Sequence, residues 1–557
     1  MRPLIEGLEK QRGASLLAVI FLMVAVAFFG TIVVSLVATQ SFTSVNELQS
    51  TQALYVAEGG LERAVSYLLG PTLAGRVTCA GLPGAATSLN PGQFQLNSEA
   101  GSPFYSTTAT AIPAGPGVTS AAATIPVVST ANYAPFGRIM IDRELIDYTG
   151  TTANSFTGAL RGRDGTLATP HLAGTRVGQS QCTVTSTGGV IDLTASARGR
   201  RVQRTGIELQ EAWAVGDNGT ILRWNGTAWV LFTTTGTRLR SVSMDSYANG
   251  WAVGDVVGGR AQIRRWNPDG TPFWDGPPTT PLPPPGASVR LNAIHSFSQN
   301  AAWAVGNTGG AGGAPCSANA LILQWTGAAW NCVASPSNQR LNAVSMFDTD
   351  NNGVVDDGWA VGDSGGGGAG LCTNARILRW NGVAWNCVAS PSNQNLNAVF
   401  MVSAADGWAV GDSGGGGAGL CTNARILRWN GVAWNCVASP SNRNLNGLFM
   451  VSATDGWAVG DSGGGGAGLC TNARILRWNG VAWNCVASPT NQNLRAVACA
   501  TTNDCWAVGN GGTIVHWDGA AWTVHPQSGV VTGQNLRSIH IVAPRTRPQA
   551  AWREVVS

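Results

Sequence analysis

Apolar and polar positions fall into three regimes along the 557 residues. The first is an unbroken apolar run: Ala14 to Asn46 holds no charged residue, and Leu16 to Ala38 is nearly all apolar. At about 1.5 Å per residue this stretch crosses a hydrocarbon core of roughly 30 Å. It exceeds the apolar region of a cleavable secretory signal, about 7–15 residues. Lys10 and Arg12 precede it, which places that end in the cytoplasm and predicts a single pass through a membrane with the remainder on the far side. Beyond it Leu54, Ala57, Leu61, Val65 and Leu68 recur at steps of three and four. The pattern predicts an amphipathic continuation of one helix over 14–70, stopped by Gly70-Pro71.

The second regime, 71–210, is rich in Thr, Ser, Gly and Ala with short strand-like pieces such as Arg138 to Ile141 and Val202 to Leu209. It reads as a small β domain packed on the helix. The third regime, 211–557, is periodic. Trp-Ala-Val-Gly begins at Trp213, Trp251, Trp303, Trp359, Trp408, Trp457 and Trp506, at spacings of 38 to 56 residues. Each fuller unit carries four strand patterns: Leu396 to Phe400, Gly407 to Val410, Ala424 to Trp429, and Ala433 to Val437. Asn430-Gly431 marks a tight hairpin between the last two. Four short strands per repeat make a propeller blade. The first unit lacks its opening Leu-x-x-Val strand, while Leu536 to Ile541 supplies a spare one at the end of the repeats. Pairing the two closes a ring and removes its open edges. Seven blades is the expectation; Trp552 leaves an eighth as the alternative.

Composition agrees with a mainly β chain. Charged residues are 11%, against 73 glycines and 22 tryptophans, which suits short strands and tight turns. A net charge of +4 without a basic run excludes a nucleic-acid footprint. The 12 cysteines lie in local pairs: Cys79 with Cys182, Cys316 with Cys332, Cys372 with Cys387, Cys421 with Cys436, Cys470 with Cys485, and Cys499 with Cys505. None has the CxxC spacing of a zinc site. They are expected as disulfides of an oxidising compartment, with connectivity not fixed by sequence.

Gln11-Arg12-Gly13-Ala14-Ser15-Leu16-Leu17 resembles a class III prepilin leader, a short basic segment ending in Gly before an apolar helix. The resemblance implies that residues 1–13 are removed by prepilin peptidase between Gly13 and Ala14. Most pilins carry Glu at the fifth mature position; here that residue is Ala18. With Ala53-Leu54-Tyr55-Val56-Ala57-Glu58-Gly59-Gly60-Leu61-Glu62, the pattern is similar to the PilX and MshP minor-pilin families over about the first 70 residues. It implies a chain held in the inner membrane with its remainder periplasmic, then carried to the cell surface in a type IV pilus or related filament, with other minor pilins and the inner-membrane assembly platform as partners. A surface receptor for the displayed domain is a further implied partner. Ile141 to Gly150, with Arg161 to Thr166 and His171, looks like a β module of phage-tail and surface proteins; His171 is expected in a solvated loop. The repeats are similar to bacterial propeller families related to BNR and photosystem II assembly-factor-like proteins.

Catalysis is not expected. Between Ala212 and Arg553 there is no glutamate and one tyrosine, Tyr247, so paired-carboxylate chemistry would rest on aspartates alone. Asp363, Asp412 and Asp461, which follow Trp-Ala-Val-Gly, are expected as turn residues. Glycine clusters such as Gly414 to Gly417 lack the Lys-Ser or Lys-Thr of a phosphate loop. One candidate metal site stands out. An insertion between Leu341 and Trp359 creates Asp348-Thr349-Asp350-Asn351-Asn352-Gly353-Val354-Val355-Asp356. Asp348, Asp350, Asn352 and Asp356 with the Val354 carbonyl match the start of an EF-hand-like calcium loop. Its twelfth position is Trp359, so a last ligand is sought nearby, at Asp357. Similar loops occur in PilY-class pilus-tip adhesins.

Overall fold

The structure is a computed structural model that describes residues 3–69, 79–100, 110–131, 133–163, 166–179, 182–190, 193, 200–208, 210–226, 228–266, 274–275, 290–308, 320–350, 352–365, 375–414, 424–463, 475–542 and 545–546. Helix α1 runs without interruption from Pro3 to Leu69. It begins before Ala14 because the leader is itself made of good helix formers, with proline in the first turn where its missing N–H costs nothing. The helix has two halves. From Val19 onward its apolar side chains are exposed, Phe21 at 77% and Phe42 at 71%, whereas Ala53, Ala57, Leu61 and Ala64 are wholly buried.

The buried half lies on an antiparallel sheet of strands in the order Thr87–Leu89, Gly92–Ala100, Cys182–Gly189, Arg200–Glu208 and Arg545–Thr546. Two glycines set the close approach. A Cβ on Gly60 would stand 2.1 Å from the Ser186 hydroxyl, and one on Gly188 would stand 2.4 Å from the Ala53 carbonyl oxygen. The Cys79–Cys182 disulfide ties the segment after the helix to the same sheet. The last strand comes from beyond the propeller: Arg545 and Thr546 pair with Glu208 and Ile207. The propeller is thus spliced between two neighbouring strands of the small sheet.

A β module is inserted in the same way between Ala100 and Cys182, which face each other across adjacent strands. One of its sheets orders Thr110–Ala111, Arg176–Gln179, Gly137–Ile141 and Glu144–Tyr148, and a three-stranded sheet stands beside it. Its hairpin tip meets the propeller. Arg143 Nε donates to the Trp266 carbonyl at 3.2 Å, Leu167 N–H donates to Gln299 Oε1 at 3.0 Å, and Met140 and Leu145 pack on Ala248.

Among the described residues the propeller has seven four-stranded blades. In the first, Leu536–Val542 pairs with Glu211–Gly216, so the spare strand closes the ring. The innermost strands of successive blades touch all the way round. Tryptophan explains the count. Each Trp-Ala-Val-Gly indole packs on the two tryptophans of the next blade's outer hairpin. Trp359 meets Trp429 and Trp434 at ring separations of 4.7 and 5.3 Å, Trp408 meets Trp478 and Trp483, and at the seam Trp506 meets Trp224 and Trp229. Each such aromatic pair contributes about 0.5–1.5 kcal/mol beyond its area burial. Seven sets of three use all of the 22 tryptophans but Trp552, which lies outside the described residues. Among the described residues the indole N–H groups of Trp359, Trp408 and Trp457 have no hydrogen-bond acceptor; edge-to-face rings beside them offer a weak N–H···π contact instead.

A charged ladder covers these indoles. Arg379 donates to both carboxylate oxygens of Asp357 at 3.0 and 2.6 Å and lies over Trp359 and Trp429. Arg428 does the same with Asp406, and Arg477 with Asp455. Each guanidinium therefore bridges two blades, with its charge balanced locally.

Candidate functional site

Asp348 to Asp356 caps the fourth blade's inner hairpin, between Leu341–Phe347 and Asp357–Ser364. The fifth blade turns between Ser403 and Asp406 instead. The insertion brings carboxylate oxygens of Asp348, Asp350 and Asp356 within 4.8 Å of one another. Backbone donors hold this shape: Gly353 N–H donates to Asp348 Oδ2 at 2.6 Å, Asp350 N–H to Asp348 Oδ1 at 3.2 Å, and Thr349 N–H to Asp356 Oδ1 at 2.9 Å. Gly353 has φ +86°, which a side chain would strain. Burial acts upward on Asp348, but the Gly353 N–H and its neighbours together outweigh it and hold that carboxyl below the usual range; at Asp356 the Thr349 hydroxyl, then its N–H, act in the same direction. Oxygen donors that stay ionised suit a hard divalent cation such as calcium.

Not every expected ligand joins them. Asn352 turns its amide oxygen to the Val354 N–H at 2.8 Å and its nitrogen to Asp350 at 2.9 Å. Asp357, sought as the last ligand, is instead locked to Arg379 and to the Gly358 N–H at 2.8 Å. Its role belongs to the charged ladder, which repeats at Asp406 and Asp455. Trp359 is fully buried in the blade core.

The Gly13–Ala14 bond lies within the continuous backbone of α1. Cys499 and Cys505 are bonded across paired strands, and Cys332, Cys387, Cys436 and Cys485 are each disulfide-bonded. Their expected partners Cys316, Cys372, Cys421 and Cys470 lie outside the described residues.

Two expectations are corrected. Asp363, Asp412 and Asp461 do more than end a turn: each accepts from an innermost-strand amide, Asn342, Asn397 and Asn446, at 2.8–2.9 Å. Those amides also donate to the next blade's Leu396, Leu445 and Leu494 carbonyls. The Leu-Asn and Gly-Asp pairings were visible in the repeat, but their joining across a blade boundary was not. His171 is not in a solvated loop. It is buried between Asp142 Oδ2 at 2.6 Å and Glu144 Oε2 at 2.9 Å, and Glu144 also accepts from Arg161 at 2.7 Å and from the Gly162 and Thr169 N–H groups. Burial pushes Glu144 upward, but its donors, His171 first, hold it down at about 2. Burial acts downward on His171, and the two carboxylates outweigh it and raise its pKa.

No protein-family model matches the sequence, and no curated protein matches it. Among solved structures the chain is similar to YCF48 bound to D1 peptide, at 15% identity over 60% of this chain and 95% of that one, with a TM-score of 0.38. YCF48 from Cyanidioschyzon merolae follows at 14%, 59%, 92% and 0.34, and the WD40 β-propeller domain of Doa1 at 10%, 60%, 90% and 0.35.

Proposed function

We propose that this chain is a pilin-like minor subunit of a type IV pilus or related filament that carries its propeller outward for adhesion or tip assembly. The observation that supports the reading is the division of α1. Its first half presents bare apolar side chains, and its second half is pinned by Gly60, Gly188 and a disulfide to an antiparallel sheet. A subunit that must leave a bilayer and pack among other helices needs this division: an apolar rod freely exchangeable between lipid and protein, fixed rigidly to a folded head. The propeller enters and leaves through adjacent strands of that head, so it is held at two points. The reading assigns no catalysis to the propeller. It assigns calcium to Asp348, Asp350 and Asp356, with Asn352 and the Val354 carbonyl as outer contributors.

The test is the mature N-terminus. Mass spectrometry of sheared filaments should recover the chain beginning at Ala14. An intact leader in membranes, with nothing in filaments, selects a second reading, a membrane-tethered periplasmic propeller. For calcium, millimolar CaCl2 should raise the propeller's Tm and give heat in calorimetry, both lost in Asp348→Ala and Asp350→Ala. Absence of either effect in the parent protein rejects the site.

A further inference from the structure

Round the propeller axis, the innermost strand of every blade sets one residue opposite the Trp of Trp-Ala-Val-Gly. In the first to fourth blades these are His540, Ser243, His295 and Ser345, facing Trp213, Trp251, Trp303 and Trp359. In the fifth to seventh they are Phe400, Phe449 and Ala498, facing Trp408, Trp457 and Trp506. Residues directly opposite in an antiparallel pair share a face of the sheet, so each of these side chains leans with its indole toward the next blade. His295, Phe400, Phe449 and His540 remain partly exposed there. One layer of the axis is thus divided into a polar arc and an apolar arc. Blade packing does not demand the division, since seven alike blades form with either kind of residue.

The polar arc is set to donate. Ser296 N–H donates to Ser243 Oγ at 2.9 Å, Met346 N–H to His295 Nδ1 at 3.1 Å, and Met401 N–H to Ser345 Oγ at 3.3 Å. Each following blade therefore takes up a lone pair and leaves the proton. On His295 this fixes the tautomer with hydrogen on Nε2, so that ring has a donor left over rather than a metal-binding lone pair. His540 is hydrogen-bonded to no described residue. Burial holds His295 at about 4, and burial and then the His295 charge do the same for His540, so both rings are neutral at pH 7. His540, Ser243 and His295 stand on three consecutive blades, and none of the layer's seven residues is acidic. Across from them the Phe400 and Phe449 rings lie 4.9 Å apart.

We propose that this layer binds a small monocarboxylic acid with an apolar body, its carboxylate on His540, Ser243 and the Nε2–H of His295 and its body against Phe400 and Phe449. A carboxylate brings acceptors to a wall that holds donors and no acid of its own, and its hydrogen bonds are charge-assisted. The two phenyl rings offer apolar surface that a bare inorganic anion cannot use. An alcohol of the same shape meets several donors with one neutral oxygen. Arg240 and Arg537, further along the same strands, are held by Asp255 and Asp217, which leaves the carboxylate to the histidine layer. The site lies wholly within the propeller and does not depend on the role of α1.

The test titrates full-length protein in detergent with para-fluorobenzoate at pH 7, followed by fluorine NMR. Saturable binding is expected, with para-fluorobenzyl alcohol and inorganic phosphate each weaker by about tenfold or more, the worth of one charge-assisted hydrogen bond. Two variants separate binding from folding. His540→Phe installs the residue that the fifth and sixth blades carry at this place. His295→Ser keeps an acceptor for the Met346 N–H, as Ser345 does for Met401, and removes only the Nε2 donor. Each should weaken para-fluorobenzoate by about tenfold with the propeller's Tm little changed; should His540→Phe fail to fold, His295→Ser decides. The site is overturned by absence of saturable binding, by equal binding of the alcohol, by displacement with phosphate as readily as with benzoate, or by binding that survives the histidine variants. Binding that survives them but is lost in Arg240→Gln would place the anion on the arginines and overturn the site as well.

Discussion

The propeller and the inserted module both bury charge, but they do so on opposite plans. In the fourth to sixth blades, Arg379, Arg428 and Arg477 lie over indoles at the rim, each paired with one aspartate and still about a third exposed. In the module, Glu144 and His171 have no exposed side-chain surface, and five donors from four residues, two of them backbone N–H groups, converge on one carboxylate. The first plan spreads modest interactions over many equivalent sites, where losing one costs little and the hydrophobic contact beneath carries the fold. The second concentrates stability at a point where every partner depends on the others. The two regions should therefore fail differently. All of the 22 tryptophans but Trp552 lie in the blades and none precedes residue 210, so tryptophan fluorescence reads chiefly the propeller, and hydrogen exchange over Gly137–Tyr148 reads the module.

The largest effect is expected where the propeller's plan is attacked beneath its charges. Trp408→Ala opens a cavity against Trp478 and Trp483 of the next blade and should cost about 3–5 kcal/mol. Arg428→Ala, on the same stack, should cost no more than about 1 kcal/mol. Chemical denaturation followed by fluorescence compares them; equal costs would mean that the charged ladder, not the indoles, holds the blades together.

Glu144→Gln attacks the module. The shape is kept, but Arg161 and His171 lose the charge they surround, and about 2–4 kcal/mol of local stability should go. Faster exchange should appear over Gly137–Tyr148 with tryptophan fluorescence unchanged. Exchange spreading into Trp266 and Gln299, which the module touches, would show instead that the two regions unfold together.

These two plans also differ in how far they can be read from a sequence. A blade states its contacts seven times, so the recurrence of Trp, the spare Leu536 strand and the ring closure were legible before any coordinates. The Asp-Gly-Trp and Arg-Trp pairs were repeated too, but their meaning depends on which blade each arginine leans toward, a fact of three-dimensional neighbours. The module's network is stated once. Asp142, Glu144, Arg161 and His171 are spread over 29 residues, and a single histidine among loop residues resembles a solvated one until its two carboxylates are placed. The pairing of Arg545 with Glu208 was equally silent, since two residues carry no periodicity. The candidate calcium loop was legible in its three aspartates. It was not legible in Asp357, whose arginine lies 22 residues on.

The smallest effect distinguishes the two regions by pH. His171 is raised by its carboxylates, so its contribution is complete below about 6.5 and is lost as pH rises through its folded value. Three histidines of the propeller have the opposite sign. Burial pushes His295 down to about 4; burial and then the His295 charge do the same for His540, and burial and then the His516 charge for His525. Their contribution is complete above about 6.5 and falls as pH drops from there to about 4, by on the order of 1–3 kcal/mol each. Acid should therefore loosen the propeller and alkali the module. The seventh blade allows a sharper version of this test. His516 pairs with Trp506 where Arg379, Arg428 and Arg477 pair with Trp359, Trp408 and Trp457. His525 donates its N–H to Ile514 where Val388, Val437 and Val486 donate to Ile377, Ile426 and Ile475. The seventh blade has thus exchanged an arginine and a valine for two histidines against the Trp506 indole, and Asp504 takes His516 Nε2 at 2.9 Å and the Trp506 indole at 3.0 Å. The double variant His516→Arg/His525→Val restores the pattern of the other blades without requiring a new backbone. Its stability at pH 7.5 should change by less than about 1 kcal/mol, and between pH 6.5 and 4 it should lose less than the parent by the share His525 carries. Fluorescence-detected unfolding at both pH values measures the difference; an unchanged acid limb would place the propeller's acid sensitivity wholly on His295 and His540.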